Sequence, residues 1–274
     1  MLGAAVIVFR EVLEAALIAG IVLAATRGVA GSRRWIAIGV AVGVLGALLL
    51  AATADALSAA LEGIGQELFN ASVLTVAVVM LAWHNAWMAR HGREMAREMA
   101  GIGQAVAGGH RPLWVLAVVV GIAVLREGGE TVLFLAGAAT SGDEGLTSTA
   151  IGFAVGLVGG GGVGALLYFG LLAVPMRALF GVTGTLVTLL AAGMAAQAVN
   201  FLSAAGIIDI SSRPVWDSSA WLAETSLPGR LLHTLIGYVD RPTPGQVAAW
   251  LITAAAITAL TRLLAPPNRK PVTA

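Results

Sequence analysis

The sequence contains no cysteine and has few charged residues. Only 11% of its 274 residues are charged. A soluble domain of this length would carry about 25%. The lack of cysteine excludes disulfides, thiolate metal ligands and thiol redox chemistry. The net charge of +1 offers no general electrostatic attraction for nucleic acid. The small share of charged residues indicates an integral membrane protein.

Long apolar runs make up most of the chain, which is 58% hydrophobic. A helix needs about 20 mostly apolar residues to cross about 30 Å of hydrocarbon. The runs are too long for barrel strands and do not alternate, so an all-α, polytopic membrane protein is predicted. The seven predicted transmembrane helices cover residues 2–26, 35–54, 68–89, 113–139, 147–170, 185–202 and 245–264.

The distribution of Lys and Arg predicts the orientation. On one side of the membrane, the connections 27–34, 90–111 and 171–184 and the tail 262–274 hold 11 of these residues, and the opposite side holds 3. The positive-inside rule therefore places the N-terminus outside and the C-terminus in the cytoplasm, for a protein of the inner membrane. The outer connections carry nine carboxylates, which either concentrate cations or only keep the loops soluble.

A charged motif occurs twice. FREVLEAAL at 9–17 is echoed by LREGGETVL at 125–133, an offset of 116 residues. GVAVGVLG at 39–46 is echoed by GFAVGLVG at 152–159, an offset of 113 residues. Each copy holds three spans, an odd number, so the second copy is predicted to be inverted in the membrane, as in many transporters.

The repeat divides the chain into parts of one integral membrane domain, residues 1–264. Three spans from each copy and one additional C-terminal span make up the predicted fold, a 3+3 inverted repeat plus one helix. The predicted parts are repeat one at about 1–89, repeat two at about 113–202, an outer loop at 203–244, the seventh span at 245–264 and a cytoplasmic tail at 265–274.

Each copy of the motif places three charged residues near the middle of a span. They are Arg10, Glu11 and Glu14 in the first span and Arg126, Glu127 and Glu130 in the fourth. Spacings of three and four residues put each set on one helix face. Each charge at that depth costs about 2.5–3.5 kcal/mol if isolated. The two helices are therefore predicted to face each other around a common cavity.

The two arginines neutralise two of the four carboxylates, which leaves a formal charge of −2 that a cation would balance. A polar lock that only joins the helices is the alternative. The motifs contain no His or Cys, so an oxygen-only site for a multiply charged, hard cation is predicted. The predicted metal ligands are Glu11, Glu14, Glu127 and Glu130, with Arg10 and Arg126 in support.

The paired R-E-x-x-E motifs in a seven-span chain resemble the oxidase-dependent, high-affinity iron permease family. Its members include fungal ferric permeases and bacterial permeases of the Efe type. GQELFNASVLTVAVVMLAWHNAWM at 65–88 and RPVWDSS at 213–219 also look like the bacterial branch. The second motif departs from the fungal pattern, because it reads REGGE where fungal members commonly have a bulkier residue before the last glutamate.

The resemblance implies a function and partners. The glutamates would bind iron during translocation and the arginines would tune the site, with no permanently bound cofactor. Iron, ferric by this resemblance, would be delivered by an extracytoplasmic oxidase or iron-binding protein, and the other contacts would be with membrane lipid.

Other polar residues each have two interpretations. Glu67 is either a first acceptor of the incoming cation or an ordinary interfacial residue. Asp217 either helps to receive iron or caps the segment 218–223. His84, beside two tryptophans, is either an exit ligand or part of an interfacial aromatic belt, which is the default. The segment 90–104 is interpreted as a short amphipathic helix on the membrane surface.

The predicted activity is transport, not enzymatic catalysis. A permease for lead or another divalent metal is the alternative within transport. An intramembrane hydrolase using paired glutamates is disfavoured, because the motifs offer no His or Asp to activate water. A metal sensor that does not transport is a third alternative.

Overall fold

The computed structural model describes residues 2–60, 66–140, 146–170, 176–208 and 213–264. The predicted tail at 265–274 lies outside these ranges. The described residues are helical with connecting turns and contain no strand. The helices are α1 (Leu2–Ala25), α2 (Ser32–Ala60), α3 (Gln66–Ala107), α4 (Trp114–Thr140), α5 (Leu146–Tyr168), α6 (Met176–Ala204), α7 (Leu227–Ile236) and α8 (Pro244–Leu264). The all-α prediction is confirmed.

Five of these helices contain segments long and apolar enough to cross a membrane. The segments are Ser32–Thr53, Glu67–Met88, Thr147–Tyr168, Gly181–Ala204 and Pro244–Leu264. They match five of the seven predicted spans. The other two predicted spans correspond to α1 and α4, which have 24 and 27 residues and carry the charged motifs.

Large apolar side chains cover the outside of the bundle. Exposed examples on α2, α5 and α8 are Val42, Leu45, Leu49, Val158, Ile252 and Leu263. In contrast, the charged motif of α1 is buried, and α1 packs against α3, α4 and α5. A surface of this kind suits lipid, while the polar groups lie inside.

The first two helices of each predicted repeat pack on helices of the other repeat. α5 packs on α1 and α2 packs on α4, with glycines at both contacts. A Cβ atom built on Gly43 would lie 2.7 Å from Val124 Cβ, and one built on Gly156 would lie 2.7 Å from Val8 Cβ. The glycines are 113 residues apart and the valines 116, which are the offsets between the sequence motifs.

Neighbouring glycines repeat this correspondence. A Cβ atom on Gly46 would lie 2.7 Å from Leu125 Cδ1, and one on Gly159 would lie 3.2 Å from Phe9 Cδ2. These pairs have the same two offsets. Only glycine lets the helix backbones approach so closely, and such small-residue contacts are common between helices in membranes.

Helix α3 has 42 residues and runs beyond its apolar span without a break. The interpretation of 90–104 as a separate helix on the membrane surface is wrong. The apolar side of this segment is partly buried against other helices: Met99 packs on a cluster that includes Val22 of α1, Val106 of α3 and Val120 of α4. This packing holds the second half of α3 beside the two charged helices.

The loop between α6 and α8 is docked onto the bundle through α7. Ser226 caps this helix, because its Oγ accepts a hydrogen bond from the amide of Gly229 at 3.1 Å. Gly237 ends it with a positive φ of 69°. A Cβ atom on Gly193 of α6 would lie 2.6 Å from Gly237 Cα. The end of α7 is therefore in direct backbone contact with α6.

Candidate metal centre

The two charged motifs meet where α1 and α4 pack beside α3. Potential ligand atoms of Glu11, Glu127, Glu130 and His84 all lie within 4.8 Å of one another. Glu14 adjoins this set through His84. The structure thus brings the motifs together, as their spacing predicts, and metal binding by these residues stays a prediction. We refer to Glu11, His84, Glu127 and Glu130 as the central cluster.

His84 lies between the two motifs. Its Nε2 is 3.4 Å from Glu14 Oε2, and its Nδ1 contacts Glu130 Oε2. The residue is only 4% exposed, so its interpretation as part of an interfacial aromatic belt is wrong. The prediction of an oxygen-only group is also wrong, because α3 contributes an imidazole nitrogen.

A neighbouring residue explains how His84 reaches the motifs. Asn85 is buried, and its Nδ2 donates hydrogen bonds to Gly184 O at 3.2 Å and Thr188 Oγ1 at 3.0 Å. These bonds fix one side of α3 against α6. The preceding side chain, that of His84, then points about 100° away, toward α1 and α4. Two adjacent polar residues in an apolar span were the available signal for this arrangement.

The arginines pair with the last glutamate of each motif. Arg10 Nε donates to Glu14 Oε1 at 3.0 Å, and Arg126 Nε donates to Glu130 Oε1 at 3.2 Å. Glu11 and Glu127 are each farther from the neighbouring guanidinium, at 3.9 and 3.8 Å. The first glutamate of each motif is therefore the less strongly compensated one.

Glu11 and Glu127 are buried carboxylates with unmet hydrogen-bonding capacity. They are 1% and 2% exposed, and none of their carboxylate oxygens has a hydrogen-bond partner within the described ranges. Burying a charged group without such partners is costly. A cation held between these carboxylates and His84 would give both Glu11 and Glu127 a charged partner.

The donor set indicates which ions fit. Four glutamates and two arginines give a formal charge of −2 when His84 is neutral, which one divalent cation balances. Mg²⁺ and Ca²⁺ favour oxygen-only surroundings. Carboxylates together with an imidazole suit first-row transition metals such as iron. The central cluster is chemically fit to hold a divalent transition-metal ion.

Two other sequence-predicted residues lie apart from the central cluster. Glu67 is exposed in the first turn of α3. Asp217, between α6 and α7, accepts hydrogen bonds from the Ser219 hydroxyl and amide, and its Oδ2 is 3.0 Å from Arg241 Nε. The Ser219 and Arg241 donors lower the pKa of Asp217 to about 2. Asp217 therefore caps the start of the segment 218–223, as one of its two interpretations predicts, although this segment forms a turn and not a helix.

Comparisons with known proteins agree with this picture. Residues 1–265 match the model of the iron permease FTR1 family. The ferrous iron permease EfeU of Escherichia coli O6:H1 is 35% identical over 271 residues, which cover 96% of this chain and 95% of that protein. The protein of the same name from Shigella flexneri is 34% identical over 204 residues, 74% of this chain and 85% of that protein. No solved structure matches.

Proposed function

Because this chain belongs to the iron permease FTR1 family, we propose that it moves iron across the cytoplasmic membrane, with the central cluster as its ion site. The observation that carries the proposal is the convergence of two buried carboxylates without hydrogen-bond partners, those of Glu11 and Glu127, on the imidazole of His84. A polar lock alone would leave these carboxylates uncompensated.

Ferrous iron is the proposed form at the central cluster. A divalent ion balances the formal charge of −2, and the imidazole nitrogen suits Fe²⁺. The relatives from Escherichia coli and Shigella are named ferrous iron permeases. Ferric iron, with delivery by an extracytoplasmic oxidase or iron-binding protein, was expected from the family resemblance and stays the alternative. Another divalent metal such as lead is the second alternative.

The proposed architecture includes seven membrane-spanning helices. α1 and α4 are long enough to span, and burial of their motifs inside the bundle offsets the cost of their charges. The paired glycine contacts with offsets of 113 and 116 residues support a 3+3 inverted repeat. Residues 1–264 then form one integral domain. The excess of Lys and Arg supports an outer N-terminus and a cytoplasmic C-terminus.

Uptake of radioactive iron into proteoliposomes tests this function. The protein is reconstituted, and uptake is measured with ascorbate, to keep iron ferrous, and without it. Uptake that requires ascorbate supports the ferrous form, and uptake that ascorbate abolishes supports ferric iron. Competition by Pb²⁺ at concentrations below those of iron would favour lead as the natural ion.

Two variants separate the ion site from general effects. Glu127→Gln removes a cluster carboxylate and should abolish uptake. Glu224→Gln removes a carboxylate of the outer loop, 3.1 Å from His233 Nδ1, and serves as the matched control. Equal uptake by both variants at equal protein amounts would overturn the proposed ion site.

A further inference from the structure

A second group of cation-binding side chains lies on α3, C-terminal to His84. His91, Glu94 and Glu98 are spaced by three and four residues and therefore share one helix face. They line a cavity of about 420 Å³ between α1, α3 and α4, together with Met95 and Met99. Glu94 and Glu98 are exposed, whereas the carboxylates of the central cluster are largely buried.

The cavity reaches the central cluster. Its wall includes Arg126 and Glu127 of α4. Glu127 is 2% exposed, and neither of its carboxylate oxygens has a hydrogen-bond partner among the residues that the structure describes. A buried, unpartnered carboxylate thus forms the inner end of a cavity whose other side carries His91, Glu94 and Glu98.

Aromatic contacts connect the two ends of this cavity. The guanidinium carbon of Arg126 lies 4.6 Å from the ring centroid of Trp87. The Trp87 ring stacks on His91, with centroids 5.0 Å apart. Arg126 also pairs with Glu130, so it joins the central cluster to the cavity wall.

The orientation of His91 leaves a nitrogen available to a metal. Nδ1 of His91 lies 3.2 Å from the Trp87 carbonyl oxygen. A carbonyl oxygen only accepts hydrogen bonds, so Nδ1 carries the proton in this contact. When the ring is neutral, Nε2 presents a lone pair, and this arrangement is common among histidines that bind metals.

We propose that this cavity is the inner vestibule of the permease, and that His91, Glu94 and Glu98 form a second, transient site for the divalent cation that leaves the central cluster. The inference rests on the proposed function and adds a release step to it. The ion exchanges buried carboxylates for exposed ones, where water completes its coordination. Release to the cytoplasm is then easier than direct departure from the central cluster.

Cysteine accessibility tests the position of the vestibule, since the chain has no cysteine of its own. Met95→Cys places a thiol on the cavity wall. Val79→Cys, on the same helix but 61% exposed on the apolar outside, is the matched control. A charged, membrane-impermeant thiosulfonate reagent is applied separately to each face of the membrane. Met95→Cys should react only from the cytoplasmic face, and its modification should block iron uptake. Reaction only from the outer face, or none, would overturn the proposal.

Metal binding tests the second site. Mn²⁺, a redox-stable divalent probe, is titrated calorimetrically into the purified protein in detergent. The wild type should bind two ions per chain, and the double variant Glu94→Gln/Glu98→Gln should bind one. Its iron uptake should fall about tenfold, as expected when carboxylates are removed from a solvated divalent-ion site. The control Arg97→Gln changes an exposed charge on the same helix and should keep both ions.

The outcomes separate the two proposals. Unchanged binding and uptake in the double variant would overturn the vestibule site alone. Glu11→Gln should lose the ion of the central cluster and keep the vestibule ion. If Glu11→Gln kept both ions and full uptake, the proposed function would fail, whatever the double variant does. Gel filtration of each variant establishes that its binding is measured on folded protein.

Discussion

The two copies of the charged motif have the same internal geometry and different surroundings. In each, the arginine Nε pairs with the last glutamate, at 3.0 Å in α1 and 3.2 Å in α4. The side chains of Arg10 and Glu14 are 3% and 1% exposed, whereas those of Arg126 and Glu130 are 35% and 13% exposed. One copy is sealed by its neighbours, and the other borders a cavity.

This difference indicates that one motif can serve two purposes in the same site. The α1 copy is enclosed, so its charges have to be balanced within the protein. The α4 copy borders the cavity, so in the proposed ion site its glutamates would be the ones that exchange an ion with water. An ion leaving the central cluster would therefore meet solvent beside Arg126 before it met solvent beside Arg10.

The largest expected effects come from Glu14→Gln and Glu130→Gln. Glu130→Gln should abolish iron uptake and leave the protein folded, because Arg126 is partly exposed and can be hydrated. Glu14→Gln should also abolish uptake, and it should destabilise the protein by about 3–5 kcal/mol, because Arg10 stays buried without its close partner. Uptake in proteoliposomes and thermal unfolding in detergent measure the two effects. Normal uptake by Glu130→Gln would reduce the central cluster to a polar lock.

His84→Gln is expected to have the next largest effect. Gln keeps a polar side chain of similar reach and replaces the imidazole nitrogen by an amide. Iron uptake should fall about tenfold or more, while Mn²⁺, which accepts oxygen ligands more readily, should compete better than in the wild type. Uptake with competing Mn²⁺ measures this change in selectivity. An unchanged preference for iron would show that His84 only holds the two glutamates in place.

The arginines should respond unequally to replacement by lysine. Arg10→Lys keeps the charge and loses the planar guanidinium in a fully buried position, so we expect a loss of about 1.5–3 kcal/mol. Arg126→Lys should cost less than about 1 kcal/mol, because its pair is partly exposed. Thermal unfolding of both variants in one detergent gives the comparison. Equal losses would mean that the two motifs have the same surroundings in the membrane.

The glycine contacts provide a comparison between the repeats. Gly43→Ala and Gly156→Ala both place a Cβ atom 2.7 Å from a valine Cβ. Each should destabilise the protein by about 1–3 kcal/mol through overpacking. Gly162→Ala on α5 is the control, because its Cβ atom would meet nothing within 4 Å. A loss for only one of the first two variants would contradict an equivalent packing of the repeats.

Asp217→Asn should have the smallest effect. The pair with Arg241 is exposed, so uptake should change by less than about twofold. The pKa of Asp217 is lowered from 3.8 to about 2 by Ser219 and Arg241. Its contribution to stability is therefore present above pH 3.8 and is lost as the pH falls toward 2. The stabilities of the variant and of the wild type, measured by unfolding, should become equal below that pH range. A large loss of uptake at neutral pH would instead support a role of Asp217 in receiving iron.

Much of the central cluster could be predicted from the sequence because charge in a membrane is so costly. Two motifs with three charges each lie near the middle of apolar spans. Facing each other inside the bundle is one of the few arrangements that keep these charges away from lipid. Glu11, Glu127 and Glu130 indeed lie together. The helical spacing of the motif placed each arginine on one face with its two glutamates, and the structure pairs it with the glutamate four residues later.

The contribution of α3 could not be predicted in the same way. A single histidine beside Trp83 and Trp87 has the composition of a membrane interface, and its burial depends on how α3 is rotated. That rotation is set by the bonds of Asn85 to α6, which are contacts distant in sequence. The continuation of α3 through 90–104 likewise depends on cover from α1 and α4. The adjacent polar residues His84 and Asn85 indicate a contact inside the bundle, but the local sequence does not say which helices provide it.

The crossed packing of α5 on α1 and of α2 on α4 has a consequence for biogenesis. α1 leaves the ribosome early, but the glycines that cover it, up to Gly164 against Ala16, are synthesised only in the second half of the protein. Until α4 and α5 are made, α1 lacks two of the three helices that cover its charged groups. Complete burial of these charges is therefore a late event that requires contacts between the two halves of the chain.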